Sequence, residues 1–376
     1  MKGFLTEWPK NIFGSITFDL MSGKKKVLVA PLNWGLGHAT RCIPIIRELI
    51  SQGVEVILAA EEHPKALLQR EYPKLEFIDL SGYDVTYPSS GNMAVHMIKL
   101  MPRILNGVKK EGEQLNKAID DFGIDGVISD NRFGLYSNRV PTVFITHQVM
   151  IKSPYAESIL QKLNRRFIRK FDHCWIPDFE GTENLSGDLS HKYKLTESAR
   201  FIGPISRFSK DEKEPDAYKY DVIAVISGPE PQRTLFQHIV TTELEINNIK
   251  ALMVLGKASI HQDVQQEKIT MKSHLKADEL QDAINKSRIV VARSGYSTIM
   301  DLATLGKSAI LIPTPGQTEQ EYLAQYHYER GHYFTVEQDR FDLDEALDQM
   351  DRFKGIKSDT NATLLKQAVT EFIQTL

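Results

Sequence analysis

A chain of 376 residues, 41% apolar and 25% charged, has room for two ordinary domains and the composition of an average globular protein, and a formal charge of -3 gives no global argument for nucleic acid. Its two cysteines, Cys42 and Cys174, exclude a disulfide framework or a zinc cluster and favour a reducing compartment, the cytoplasm by default. No run reaches the roughly 18 consecutive apolar residues that a spanning helix needs.

Residues 1–22 include Glu7, Lys10 and Asp19 and lack the basic start and compact apolar block of a secretory signal, so a leader or a start-site extension is expected there. From Lys26 onward, apolar runs at 27–30, 54–59, 75–78, 126–129 and 142–145 alternate with helical stretches. The runs are continuous rather than alternating, which predicts strands buried on both faces in a parallel sheet covered by its crossover helices. Gly203-Pro204 and the charged stretch 207–221, with Pro215, read as a linker. The pattern restarts at 221–226, 251–255, 288–292 and 308–312. The expected architecture is therefore α/β: two doubly wound, Rossmann-like domains, 23–205 and 206–357, facing across a cleft. The segment 358–376 carries Leu364, Leu365, Ala368, Val369, Phe372 and Ile373 at helical spacing and is available to pack back on the first domain. Ligands of such sheets sit beyond the carboxyl ends of the strands.

The first strand runs into Gly35-Leu36-Gly37-His38-Ala39-Thr40-Arg41, a glycine turn opening a helix. The dinucleotide fingerprint needs a glycine where Thr40 stands, and only Glu61 and Glu62 follow the second strand as candidate ribose acids, which argues against a dehydrogenase. His38 is either a base for an acceptor hydroxyl or a packing and capping residue. Asp130 and His147 each end a strand at the carboxyl edge of the sheet. Asp130 orients an imidazole or an acceptor, or else caps a helix, and His147 is a rival base. The basic amphipathic segments 93–110 (Lys99, Arg103, Lys109, Lys110) and 159–171 (Lys162, Arg165, Arg166, Arg169, Lys170) suit an anionic membrane surface or a solvated helix face.

In the second half, Ser227-Gly228 and the following residues through Arg233 and Thr234 read as a phosphate cradle or an ordinary tight turn. The richest stretch is 290–324. A strand, the turn Ser294-Gly295 and a helix from Ser297 present unpaired N–H groups and the positive end of a dipole, enough to hold a diphosphate, with Arg293 beside them. Asp301 lies three residues after Thr298, away from the apolar stripe, where a carboxylate can accept both ribose hydroxyls. A second polar helix start, with Gln320 and Glu321, follows the next strand. Asp342-Leu343-Asp344 has the spacing of a two-carboxylate metal motif but opens a helix, so capping is expected, and the histidines lack metalloprotease spacing. No metal is expected.

These residues together resemble the two-domain sugar-nucleotide glycosyltransferases of the GT-B fold, especially glycosyltransferase family 28 and the branch similar to the peptidoglycan N-acetylglucosaminyl transferase and the UDP-glycosyltransferases. The motifs that carry the resemblance are GLGHATR at 35–41 and RSGYSTIMDLATLGKSAILIP at 293–313. The resemblance implies that Asp301 holds the donor ribose and that Ser294, Gly295, Tyr296 and Ser297 form the diphosphate turn. It also puts Gln320 and Glu321 near the donor sugar, Ser227-Gly228 in the second-domain loop, Gly37 in the glycine turn, and His38 at the position of general base or acceptor contact. This chain departs from the pattern with PEPQR after Gly228 and with Glu321 in place of an amide. The implied activity is transfer of a sugar from a UDP-sugar to the hydroxyl of an acceptor, lipid-linked in one version. UDP-sugar is then a co-substrate, with no cofactor, no nucleic acid, and peripheral contact with the inner membrane surface through 93–110 and 159–171. Two alternatives on the same fold are a sugar-nucleotide epimerase and a non-catalytic UDP-sugar-binding subunit.

Overall fold

The apolar run after Lys25 becomes β1 (Lys26–Pro31), a strand buried on both faces from its second residue onward. The computed structural model describes residues 23–33, 35–80, 93–150, 157–210, 217–258, 263–356 and 362–376, without the side chains of 93–101, 158–159 and 362. The expected leader, Trp34, residues 211–216 of the linker and residues 358–361 lie outside the described residues.

After β1 come α1 (Gly37–Ser51), β2 (Glu55–Ala59), α2 (Glu62–Glu71), β3 (Glu76–Ile78), α3 (Met93–Phe122), β4 (Gly126–Asp130) and β5 (Thr142–Ile145). The first half closes with α4 (Glu157–Ile168), β6 (His173–Ile176), α5 (Asp188–His191) and β7 (Ala199–Phe201). Its seven strands are all parallel, in the order β3-β2-β1-β4-β5-β6-β7. Chain order reverses between β1 and β4, where Pro31 sits in register with Asp130. That reversal opens a crevice at the carboxyl ends of the two strands.

The second half holds β8 (Tyr220–Val225), α6 (Gln232–Ile246), β9 (Ala251–Val254), β10 (Asp263–Gln266), β11 (Ile269–Lys272), α7 (Ala277–Asn285) and β12 (Ser287–Ala292). It continues with α8 (Tyr296–Leu305), β13 (Ala309–Leu311), α9 (Thr318–Glu329), β14 (Phe334–Thr335), α10 (Leu343–Gln349) and α11 (Ala362–Ile373). The sheet order is β10-β11-β9-β8-β12-β13-β14, parallel except for the β10–β11 hairpin, and the reversal falls between β8 and β12. Sequence patterning passed over β6, β7, β10, β11 and β14: β10 is wholly exposed and polar, and β14 is two residues long.

One apolar cluster runs through both halves, joining Ile43 and Ile46 of α1 to Ile299 and Met300 of α8, which pack against one another. The same cluster takes in Leu365, Val369 and Phe372 of α11. This last helix packs on the first sheet: the Phe372 ring meets Trp175 edge-on at 6.0 Å, and a Cβ at Gly126 would lie 2.8 Å from Phe372 Cζ and 2.5 Å from Leu376 Cδ2. The helix is therefore seated directly on the start of β4. Phe372→Ala is expected to lower stability by about 3–5 kcal/mol, the usual cost of emptying a buried phenylalanine site. Urea unfolding reads this, and a loss under about 1 kcal/mol would show that α11 is not part of the first domain's core.

Candidate active site

His38 is the second residue of α1, and Asp130 is the last of β4, so the crevice between β1 and β4 brings them together. Asp130 is fully buried. Its carboxylate accepts from His38 Nδ1 at 2.7 Å and from Arg41 through both Nε and Nη2. Burial opposes ionisation of Asp130, but Arg41 and then His38 outweigh it and hold the carboxyl at about 2. This is an orienting carboxylate and not a helix cap. Burial, followed by the Arg41 charge, lowers the proton affinity of His38 despite the pull of Asp130. Arg41 Nη2 also lies 2.8 Å from His38 Nδ1. His38 Nδ1 is thus within reach of both a group that only donates, Arg41, and one that only accepts, Asp130, and in the tautomer that donates to Asp130 the lone pair is on Nε2.

His147, just past β5, is used up differently. Its Nδ1 faces Arg41 Nη1 at 2.9 Å and must accept, which places its own proton on Nε2, pointed at Glu319 Oε1 2.8 Å away. Its ring stacks on Tyr296 at 4.2 Å and 5°. Both nitrogens are committed, whereas His38 Nε2 has no partner among the described residues, so of the two histidines His38 is the one with a nitrogen to offer.

Across the cleft, α8 begins at Tyr296 after the Gly295 cap, and its first intrahelical bond is Ile299 N to Gly295 O. The N–H groups of this first turn have no intrahelical acceptor. Ser297 Oγ donates to Gly37 O at 2.9 Å, so the two glycine turns touch. A Cβ on Gly37 would come within 3.1 Å of that hydroxyl. The side chains around the turn face elsewhere than expected: Ser294 Oγ donates to Gln320 O, and the buried Tyr296 hydroxyl donates to Pro177 O. What the turn offers an anion is its backbone.

Several expected donor contacts are held by other groups. Arg293 is buried over the Phe236 ring, and its guanidinium donates to the carbonyls of Ile312, Pro313 and Gln232 and to Gln338 Oε1, so it braces strand ends rather than the turn. Burial holds its pKa at about 9. Past Ser227-Gly228, Glu230 accepts from Arg233 and from Thr234 N at 3.3 Å. A carboxylate of the chain thus occupies the start of α6, and Arg233 is also tied to Leu255 O. Gln320 and Glu321 fold back to accept from Thr314 N and Gly316 N, each at 2.8 Å, shaping the turn before α9. Asp301 is not open either: Oδ1 accepts from Ser206 Oγ at 2.6 Å and Oδ2 from Arg207 Nε at 3.1 Å. Burial raises its carboxyl in spite of both partners. Asp342 caps α10 by accepting from Glu345 N, which disposes of the metal-motif spacing.

Three residues went unread in the sequence. Arg41 stands in the quoted glycine motif but shows its role only when β4 and His147 are placed beside it. Glu319 precedes the polar pair that drew attention, and Arg207 sits in a stretch that reads as linker. None has a local signal beyond its charge. The basic helices are partly explained: Ile104 and Val108 of α3 and Phe167 of α4 form one buried cluster, leaving Arg103, Lys109, Lys110, Lys162 and Arg166 exposed. Among the described residues no helix is long and apolar enough to cross a membrane.

Residues 222–376 match the family model of the glycosyltransferase family 28 C-terminal domain. The chain is 23% identical over 326 residues to an uncharacterized glycosyltransferase of Methanosarcina mazei, covering 82% of this chain and 84% of that one. It is 25% identical to a UDP-N-acetylglucosamine–N-acetylmuramyl-(pentapeptide) pyrophosphoryl-undecaprenol N-acetylglucosamine transferase of Haemophilus ducreyi, covering 90% and 95%. Among solved structures, the kitacinnamycin glycotransferase superposes with a TM-score of 0.58 at 14% identity over 94% of this chain and 95% of that one. The fold is GT-B, as the two facing doubly wound domains led one to expect, and the protein is a glycosyltransferase. Nothing in these likenesses supports an epimerase or a non-catalytic subunit.

Arg41 is 2% exposed, so Asp130→Asn leaves a buried cation without its counter-charge and is expected to cost about 3–5 kcal/mol. The folded carboxyl titrates at about 2 against an ordinary 3.8. Its stabilisation is therefore complete above pH 3.8 and disappears as the pH falls through about 2. The gap between wild type and Asp130→Asn in urea unfolding should narrow over that window; a constant gap would mean that the pair is not ionised.

Proposed function

We propose that this glycosyltransferase moves a sugar from a UDP-sugar, held by the second domain, to an acceptor hydroxyl presented by the first, with His38 as general base. The observation that carries this reading is the contact of Ser297 Oγ with Gly37 O. It sets an imidazole backed by an ionised carboxylate one residue from the helix start best suited to a diphosphate. In the step, the acceptor O–H proton passes to His38 Nε2 and the acceptor oxygen bonds to the anomeric carbon. The bond from that carbon to the diphosphate oxygen breaks, and the diphosphate leaves with the electron pair. Its charge is met by the preorganised N–H groups opening α8, with neither metal ion nor cofactor in this reading.

Asp301 serves the ribose by exchanging Ser206 and Arg207 for the sugar's hydroxyls. A lipid-linked acceptor is supported by the Haemophilus ducreyi relative, whose name specifies a pyrophosphoryl-undecaprenol substrate. Ile104 and Val108 of α3 and Phe167 of α4 are turned inward, so contact with anionic lipid falls to the exposed cations of the two helices.

Calorimetry with UDP separates the roles. Asp301→Ala should weaken UDP binding about 10- to 100-fold, the worth of charged hydrogen bonds to two hydroxyls. His38→Ala should bind UDP within about twofold of wild type, on the premise that uniform binding survives loss of a base, and transfer no sugar. Equal losses of binding in both variants would sink this division of labour. With wild type, the acid limb of turnover should lie below 6.5, because burial and Arg41 lower His38 from that value.

A further inference from the structure

Glu319 stands in the first turn of α9, on the second domain, yet both of its carboxylate oxygens are bonded to the first: Oε1 to His147 Nε2 at 2.8 Å and Oε2 to Gln148 Nε2. His147 continues the contact through Nδ1 to Arg41 Nη1, and Arg41 continues it to Asp130 and to within 2.8 Å of His38 Nδ1. An unbroken series of hydrogen bonds thus joins a carboxylate of one domain to the imidazole of the other. The bonds of Glu319 are the members of that series that cross the cleft.

We propose that Glu319 is a positioning residue: arriving from the second domain, its carboxylate completes a relay through His147 and Arg41 that prepares His38 to take a proton when the two domains are together. The proposal rests on reading His38 as the base. Its physical content is charge and tautomer. The groups facing His38 are Arg41 and Cys42 on α1, Asp130 at the end of β4, His147 past β5, Tyr296 on α8 and Glu319 on α9. Burial pushes the Cys42 thiol and the Tyr296 phenol up, so both stay neutral in the neutral range. Burial opposes ionisation of Glu319 as well, but His147, then His38 and Arg41, outweigh it and keep its carboxyl below the ordinary range. The fixed charges are therefore one guanidinium and two carboxylates. Without Glu319 only the Arg41–Asp130 pair remains, its charges cancel, and His38 loses the surplus negative charge that helps it hold a proton. Glu319 also fixes the His147 proton on Nε2, which keeps Nδ1 as an acceptor for Arg41 and so holds the guanidinium against Asp130.

The test reads His38 directly, by pH titration of the ring signals in protein carrying isotope-labelled histidine, with the His38 signal identified by its loss in His38→Ala. In Glu319→Gln the His38 midpoint should fall by about half to one pH unit, a three- to tenfold weaker proton affinity. Glu319→Ala should move it in the same direction, and Glu319→Asp should restore most of it. UDP affinity should stay within about twofold throughout, because both Glu319 oxygens are already bonded to His147 and Gln148. An unchanged midpoint in both Glu319→Gln and Glu319→Ala overturns the relay. So does a tenfold or greater loss of UDP affinity in Glu319→Gln, which would make Glu319 a donor contact. If His38→Ala instead keeps sugar transfer, the base assignment fails, and the titration still reports separately whether Glu319 acts on His38.

Discussion

The guanidinium of Arg41, donating through two nitrogens to the two oxygens of Asp130, decides the geometry of the cleft. Both groups are almost wholly out of water, and two charges taken there must be matched with each other or be very costly. The match is made between the first turns of α1 and the last residue of β4, at the point where strand order reverses. Once it is made, α1 cannot rotate or slide on the sheet, and His38, one turn earlier on the same helix, is delivered to Asp130. The fold thereby converts a general property of doubly wound sheets, a crevice at the switch point, into a defined position for one imidazole nitrogen.

The same pair explains why two histidines in one crevice do different work. Arg41 has donors to spare after meeting Asp130 with Nε and Nη2, and Nη1 is directed at His147. Because a guanidinium cannot accept, His147 is left with one tautomer and no free nitrogen. His38 shares Asp130 with Arg41 and keeps Nε2 uncommitted.

Much of this was legible in the sequence, and the limits have physical causes. Strands buried on both faces leave continuous apolar runs, so β1, β2, β4, β5, β8, β9, β12 and β13 could be placed; β10, with its Asp-Val-Gln-Gln exposed along one edge, leaves no such mark. His38 and Asp130 could be picked because each stands where a strand or glycine turn ends, and such ends are where open sheets bind ligands. Arg41 and Glu319 could not, since their partners lie 89 and 172 residues away and no local rule links them. The α9 start shows how narrow the margin is. Successive helical residues point about 100° apart, so the polar pair Gln320 and Glu321 turned to the preceding loop while their neighbour Glu319 faced the cleft.

Two carboxylates of the second domain, Asp301 and Glu319, are held by residues far from them in sequence, and the contrast between them bears on how a donor could enter. Asp301 meets one guanidinium and one hydroxyl, and burial wins, leaving its carboxyl raised. Glu319 meets two imidazoles and the one guanidinium of Arg41, and there these partners win over burial. To take a ribose, Asp301 would have to give up one hydroxyl and one guanidinium, whereas Glu319 would have to give up its bonds to His147 and Gln148, which join the two domains. Arg47, by donating to Arg207 O, ties the segment that holds Asp301 to α1, the helix that carries His38.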